Sequence, residues 1–229
     1  MKELDKNLKI NVEALKSLLL QQKISRPRFR WNMTLDQAID ILTAAYKSEV
    51  EYRQMQYRDD ACVRKNIERL AKYLTAKKPK FGVMFCGTCG NGKSTLMYAF
   101  ASALNYLNRT DVFDEEKRNG RKVALSIVDA KEVQNYAKDV SAFRELKGRY
   151  MLAIEDMGRE ATEVLDFGNV LNPVIDLLEY RYNMQGFTLV TTNLTAKEIR
   201  EKYGNRIADR LNEMMEVVIF ENDTYRKSR

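Results

Sequence analysis

The chain has 229 residues, 45% hydrophobic and 31% charged, with three prolines and ten glycines, which describes a helix-rich globular protein and excludes a fibre or a disordered chain. It contains no histidine, which removes Ser-His-Asp and Cys-His catalysis and the commonest zinc ligand. The net charge of +7 is uneven: residues 1–80 hold 18 Lys and Arg against 10 Asp and Glu, residues 81–229 hold 21 against 22.

The N-terminal stretch MKELDKNLKINVEALKSLLLQQK breaks its apolar positions with acids and lysines, unlike a signal peptide. Leu8, Val12, Leu15, Leu18 and Leu19 recur at helical spacing. A break follows at 25–32. Its segment RPRFRWN interleaves Arg26, Arg28 and Arg30 with Phe29 and Trp31. Cations and rings so mixed suit single-stranded DNA, with phosphates on the arginines and bases on the rings. The alternative is a linker whose rings pack on protein. Thr34 then reads as an N-cap, ahead of an amphipathic face at Leu35, Ala38, Ile39, Leu42 and Ala45. A further helical face runs through Val63, Ile67, Leu70 and Leu74. The polar TAKKPK at 75–80 reads as a linker and sets the expected boundary between a helical, basic region 1–80 and a second domain 81–229. The basic excess of the first region suits a polyanion or an acidic partner, or else a solvated helical surface.

Beyond residue 80 short apolar runs alternate with helical patterns. Strands are expected at 81–86, 122–129, 150–155, 187–192 and 216–220, with helices near 93–107, 130–139, 169–184, 196–203 and 205–213. Strands separated by helices predict an α/β domain with a mostly parallel, five-stranded sheet, whose ligands sit at the carboxyl ends of the strands. No apolar run approaches the roughly 20 residues that cross a bilayer. The three cysteines point to a reducing setting, so a cytoplasmic location is expected.

Between the first strand and its helix lies CGTCGNGKST, residues 86–95. The two cysteines spell C-x-x-C, a zinc or redox spacing. The run Gly87, Thr88, Cys89, Gly90, Asn91, Gly92, Lys93, Ser94 spells G-x-x-x-x-G-K-S, and strand–loop–helix is the context a phosphate loop requires. Glycines let successive N–H groups face phosphate oxygens, and the helix N-terminus adds positive potential. Lys93 then neutralises the β- and γ-phosphates, Ser94 ligates Mg²⁺, and Thr95 follows in the helix. A structural zinc site wants four ligands; beyond this pair the sequence offers Cys62 alone. A redox dithiol stays open as a lesser alternative.

The strand YMLAIEDMG (150–158) delivers Glu155 and Asp156 at its carboxyl end. One carboxylate suits Mg²⁺ and the other the attacking water. FTLVTTN ends in Asn193, whose amide suits a lytic water or the γ-phosphate, or simply precedes the helix opened by the capping box TAKE (195–198). YGNRIADRL sets Arg206 and Arg210 on one helical face, where they reach a neighbouring subunit's γ-phosphate or pair with surface acids. Arg226, near the C-terminus, is a third candidate cation.

The series GTCGNGKST, LAIEDMG, TTN, YGNRIADRL and a terminal TYR resembles the AAA+ ATPases of the DnaC/IstB type, which are helicase loaders and transposition helpers. The resemblance covers about 81–229 and implies an AAA+ P-loop fold binding ATP or ADP with Mg²⁺. It implies Asn193 as first sensor, Arg206 or Arg210 as a trans-acting arginine, and Arg226 as second sensor. It also implies an ATP-dependent homo-oligomer and an N-terminal region that docks a replicative helicase or a transposase in DNA replication or transposition. One departure stands out: the family places Asp first in its acidic pair, and here Glu155 precedes Asp156. This order favours slow hydrolysis, with ATP acting as a switch. A P-loop kinase for a small molecule and a nonhydrolysing adaptor are the competing readings.

Overall fold

A computed structural model of the chain describes residues 11–22, 27–113, 120, 123–161, 164–166, 169–222 and 224–225. Five strands form one all-parallel sheet: β1 (Gly82–Gly87), β2 (Leu125–Asp129), β3 (Met151–Met157), β6 (Phe187–Thr192) and β7 (Met215–Phe220). Their spatial order is β2-β3-β6-β1-β7. The strands alternate their side chains between two buried layers, as the period of two requires. Val83 and Phe85 of β1, Ala153 of β3 and Leu189 of β6 enter one core; Met84, Leu152, Ile154 and Val190 enter the other.

The first layer holds α2 (Leu35–Tyr52), α3 (Ala61–Thr75) and α4 (Lys93–Leu107), with the 27–31 segment between them. The second holds α5 (Val133–Ala137), α6 (Val140–Gly148), α7 (Pro173–Met184) and α8 (Ala196–Met214). α1 (Val12–Gln22) keeps Leu15, Leu18, Leu19 and Leu20 exposed. No helix among the described residues is long and apolar enough to cross a membrane.

Local signals account for most helix ends. Thr34 and Gln37 form a capping box at α2, as Thr195 and Glu198 do at α8. Val63, Ile67, Leu70 and Leu74 are all buried along α3. Three elements differ from expectation. The helix expected from 169 begins at Pro173, capped by Asn172, because β5 (Asn169–Leu171) instead pairs antiparallel with β4 (Val164–Asp166). The pattern near 130–139 yields only α5, and Asp139 then caps the unanticipated α6. The two helices expected at 196–213 join in α8 across a kink at Gly204, where φ is 81°.

Residues 27–75 pack across the boundary expected at 75–80. Trp31 stands 5.9 Å from Phe100 of α4, and Phe29 stands 5.3 Å from Phe187 of β6. Both rings are buried, Trp31 with 1% of its surface exposed. They therefore cannot stack on bases, and the reading of RPRFRWN as a ring platform for single-stranded DNA is replaced by its alternative, packing on protein. These rings join α2, α3 and α4 in the core on this face of the sheet.

At the opposite end of the sheet from the strand carboxyl termini, Arg181 of α7 is buried. Its guanidinium donates to the carbonyls of Lys147, Arg149 and Phe187, and its Nε to Thr188 Oγ1 at 3.0 Å. Burial lowers its pKa to about 10, which leaves it charged at neutral pH.

Trp31 is the one tryptophan of the chain, so its emission reports this core directly. Its fluorescence should be blue-shifted, resist acrylamide quenching and stay unchanged when single-stranded DNA is added. Trp31→Ala should cost about 3–5 kcal/mol in denaturant unfolding.

Candidate nucleotide-binding site

β1, β6 and β3 are neighbours in the sheet, so their carboxyl ends bring three functional segments side by side: the loop 87–92, Asn193 and the acids 155–156. They open on one cavity of about 730 Å³. Its lining includes Cys89–Thr95, Glu155, Asp156, Arg159 and Asn193.

The loop curls around its own lysine. Lys93 is 95% buried, and its Nζ donates to Gly87 O at 2.7 Å, Thr88 O at 2.6 Å and Asn91 Oδ1 at 3.1 Å. Gly92 is the N-cap of α4 with φ 96°, and a Cβ there would lie 2.7 Å from Tyr46 Oη. Gly87 has φ 151°, and its Cβ would meet Phe220 O at 2.6 Å. Both positions thus demand glycine. Gly92 gives α4 no side-chain cap, so the first-turn N–H groups of α4 carry their partial positive charge at the edge of the cavity without a capping side chain.

The acids follow from an irregularity in β3. Ile154 pairs with Val190 and Met157 with Thr192, so two residues of β3 face one of β6. This is a β-bulge. Asp156 takes φ 54° there, and its N–H donates to Thr191 Oγ1 at 2.9 Å. Aspartate tolerates this left-handed geometry better than most residues. Tyr98 Oη donates to Glu155 Oε2 at 2.9 Å, and Arg159 pairs with Asp156 at 2.5 Å. Burial first, and that hydrogen bond second, push the Tyr98 hydroxyl up to about 12, so it remains a donor at neutral pH. Thr192 Oγ1 bonds Met157 O at 2.7 Å and accepts Leu194 N–H at 3.1 Å, fixing the turn that carries Asn193.

Arg206 and Arg210 do not line this cavity. Both turn to Glu179 of α7, at 3.3 Å and 2.7 Å. Arg210 also lies 5.0 Å from the Tyr182 ring centroid. Arg206 keeps 72% of its side chain exposed against 19% for Arg210. The Arg226 expectation lies outside the described residues.

Sequence reading missed half of the cavity wall. Tyr46, Val50, Met55, Tyr57, Arg58 and Val63, from α2, α3 and their connection, line it together with Tyr225. The signal available was EYRQMQYRDD at 51–60, where two arginines and two tyrosines interrupt the helical pattern. Among solved structures, the crystal structure of the DnaC helicase loader matches with TM-score 0.52 and 17% identity, over 72% of this chain and 93% of that one. The crystal structure of DnaI matches with TM-score 0.51 and 21% identity, over 79% of this chain and 93% of that one.

The fold is that of the DnaC helicase loader and of DnaI. No protein-family model matches the chain, and no curated protein matches it in sequence. On this DnaC-type fold the C-x-x-C pair is split by environment. Burial pushes the Cys86 thiol up to about 11, with Lys93 opposing the shift, while Cys89 is exposed on the cavity.

Cys86 is therefore protonated and unreactive at neutral pH. Mild alkylation should modify Cys89 before Cys86 and lower affinity for ATP, measured by titration of a fluorescent analogue. Unchanged affinity in the Cys89-modified protein, located by peptide mass mapping, would count against a ligand at this loop.

Proposed function

We propose that the chain is a DnaC-type AAA+ ATPase: an ATP-dependent switch that acts in DNA replication by binding a replicative helicase, single-stranded DNA, or both. The observation that carries the reading is the buried Lys93 ammonium inside its loop of glycines, beside two carboxylates in one cavity. The described residues fit the ligand. A triphosphate needs main-chain amides, a cation and a helix N-terminus, and the glycine loop 87–92, Lys93 and the start of α4 would supply them. The apolar wall of Val50, Met55 and Val63 suits the base. Mg²⁺ demands few protein ligands because water and phosphate oxygens complete its shell. Ser94 and Glu155 would hold it, and it would supply charge neutralisation at the phosphates. Asp156 would orient the attacking water and accept its proton, with Asn193 near the γ-phosphate. The Glu-before-Asp order supports slow hydrolysis, and thus a switch.

Assembly gives the exposed arginine its use. Arg206 is the better trans-acting candidate, because Arg210 is tied to both Glu179 and Tyr182. An arginine so supplied raises the hydrolysis rate by ~10³–10⁵. The exposed leucines of α1 support docking of a protein partner by the N-terminal region. DnaC is a helicase loader, and a replicative helicase is the partner proposed for this chain. A transposase remains the partner if no helicase is bound.

Isothermal titration with ATP·Mg²⁺ tests the reading. Lys93→Ala should abolish binding, whereas Asp156→Asn should bind normally and lose turnover. Equal affinity in wild type and Lys93→Ala would overturn the site. Arg206→Ala should bind ATP like wild type and lower turnover only at concentrations where light scattering shows assembly. Fast steady-state turnover by the unassisted protein would refute the switch.

A further inference from the structure

Two carbonyls of the phosphate loop are held from outside the loop by the segment that follows β7. The Tyr225 N–H donates to Gly90 O at 2.9 Å, and Asn222 Nδ2 donates to Asn91 O at 3.0 Å. A third contact, Asn91 Nδ2 to Phe220 O at 3.2 Å, fixes the Asn91 side chain to the end of β7. The segment is itself anchored at both ends. Phe220 belongs to β7, and Tyr225 Oη donates to Asp60 Oδ2 at 2.7 Å. Asp60 is in turn the N-cap of α3, accepting the Val63 N–H at 2.8 Å.

A trans peptide is planar, with its C=O and N–H pointing in opposite directions, and the chain has no cis bond among the described residues. Holding Gly90 O therefore sets the direction of the Asn91 N–H. Holding Asn91 O likewise sets that of the Gly92 N–H. Neither N–H donates to another group among the described residues. Backbone donors left over inside a folded loop call for an acceptor.

We infer that Asn222 and Tyr225 are positioning residues for the phosphate loop, which clamp the carbonyls of Gly90 and Asn91 so that the N–H groups of Asn91 and Gly92 face a polyphosphate. The inference rests on the ATP reading above and adds a part to it that the loop lacks by itself. A glycine-rich loop has many backbone states, and glycine loses more freedom on ordering than any other residue. A clamp that orders the loop before binding removes that cost from the binding step. The Asn222 arm of the clamp bears on phosphate contacts, since the base wall is lined by Tyr225 and residues of α2, α3 and their connection.

Displacement of a fluorescent ATP analogue by ATP, ADP and AMP, on wild type and on Asn222→Ala, tests this. The variant should lose about tenfold in affinity for ATP and ADP, the scale of one orienting hydrogen bond, and keep its affinity for AMP within twofold. The ratio of ADP to AMP affinity is the readout that a merely structural role would not move. Asn222→Leu, which keeps the size of the side chain and removes its donor, should shift the same ratio in the same direction and serves if Asn222→Ala does not fold. An equal loss for all three nucleotides, or no loss, overturns the clamp while leaving the ATP site intact. A wild-type chain that binds no ATP overturns both.

Discussion

One buried cation organises this molecule. Lys93 places an ammonium group in a nearly dry position and satisfies it with two main-chain carbonyls and one amide oxygen of its own loop. None of these three acceptors carries a charge, so they offset only part of the cost of removing an ammonium from water. On the proposed reading, the anion that enters the loop would add to that offset. The remaining architecture follows from keeping that loop in place. The parallel sheet sets the strand end from which the loop departs, α4 aligns its first turn behind the loop, and the chain's last described residues press on it from above.

Much of the fold was legible in the sequence because burial on both faces leaves a plain mark. β1, β3 and β6 are short apolar runs with no polar alternation, and Thr34, Thr195 and their partners three residues on announce helix starts. What failed to read did so for tertiary reasons. Nothing local in NVL at 169–171 separates a short strand from the start of a helix, and Asn172 and Pro173 were the better guides. Leu146 alone is deeply buried in α6, so its periodicity is faint. The 27–31 segment misled by composition: arginines flanking aromatic rings look the same whether the rings meet bases or a protein core.

The site divides along similar lines. The phosphate loop is a spacing motif whose chemistry is main-chain geometry, so it can be read from glycines and one lysine. The wall opposite it is built by Tyr46, Val50, Met55 and Tyr57, which meet the loop only when α2 folds onto α4 and α3 packs on α2 and β7. No spacing rule connects them. The same is true of Asn222 and Tyr225, more than 130 positions from the loop they touch. Helices that looked like an appendage in the sequence are thus half of the pocket, and a ligand there bears on the packing between them and the sheet.

The extra residue in β3 has an effect on how its two acids are to be understood. Along an unbroken strand, successive side chains diverge to opposite faces, and a dipeptide could offer only one of its carboxylates to a given pocket. The irregularity at 155–156 frees the pair from that rule, and both line the same cavity. With both acids on one pocket, their order matters through the length of each side chain. A reversed pair becomes a change in reach, one methylene more or less on each side, and leaves the inventory of the pocket whole.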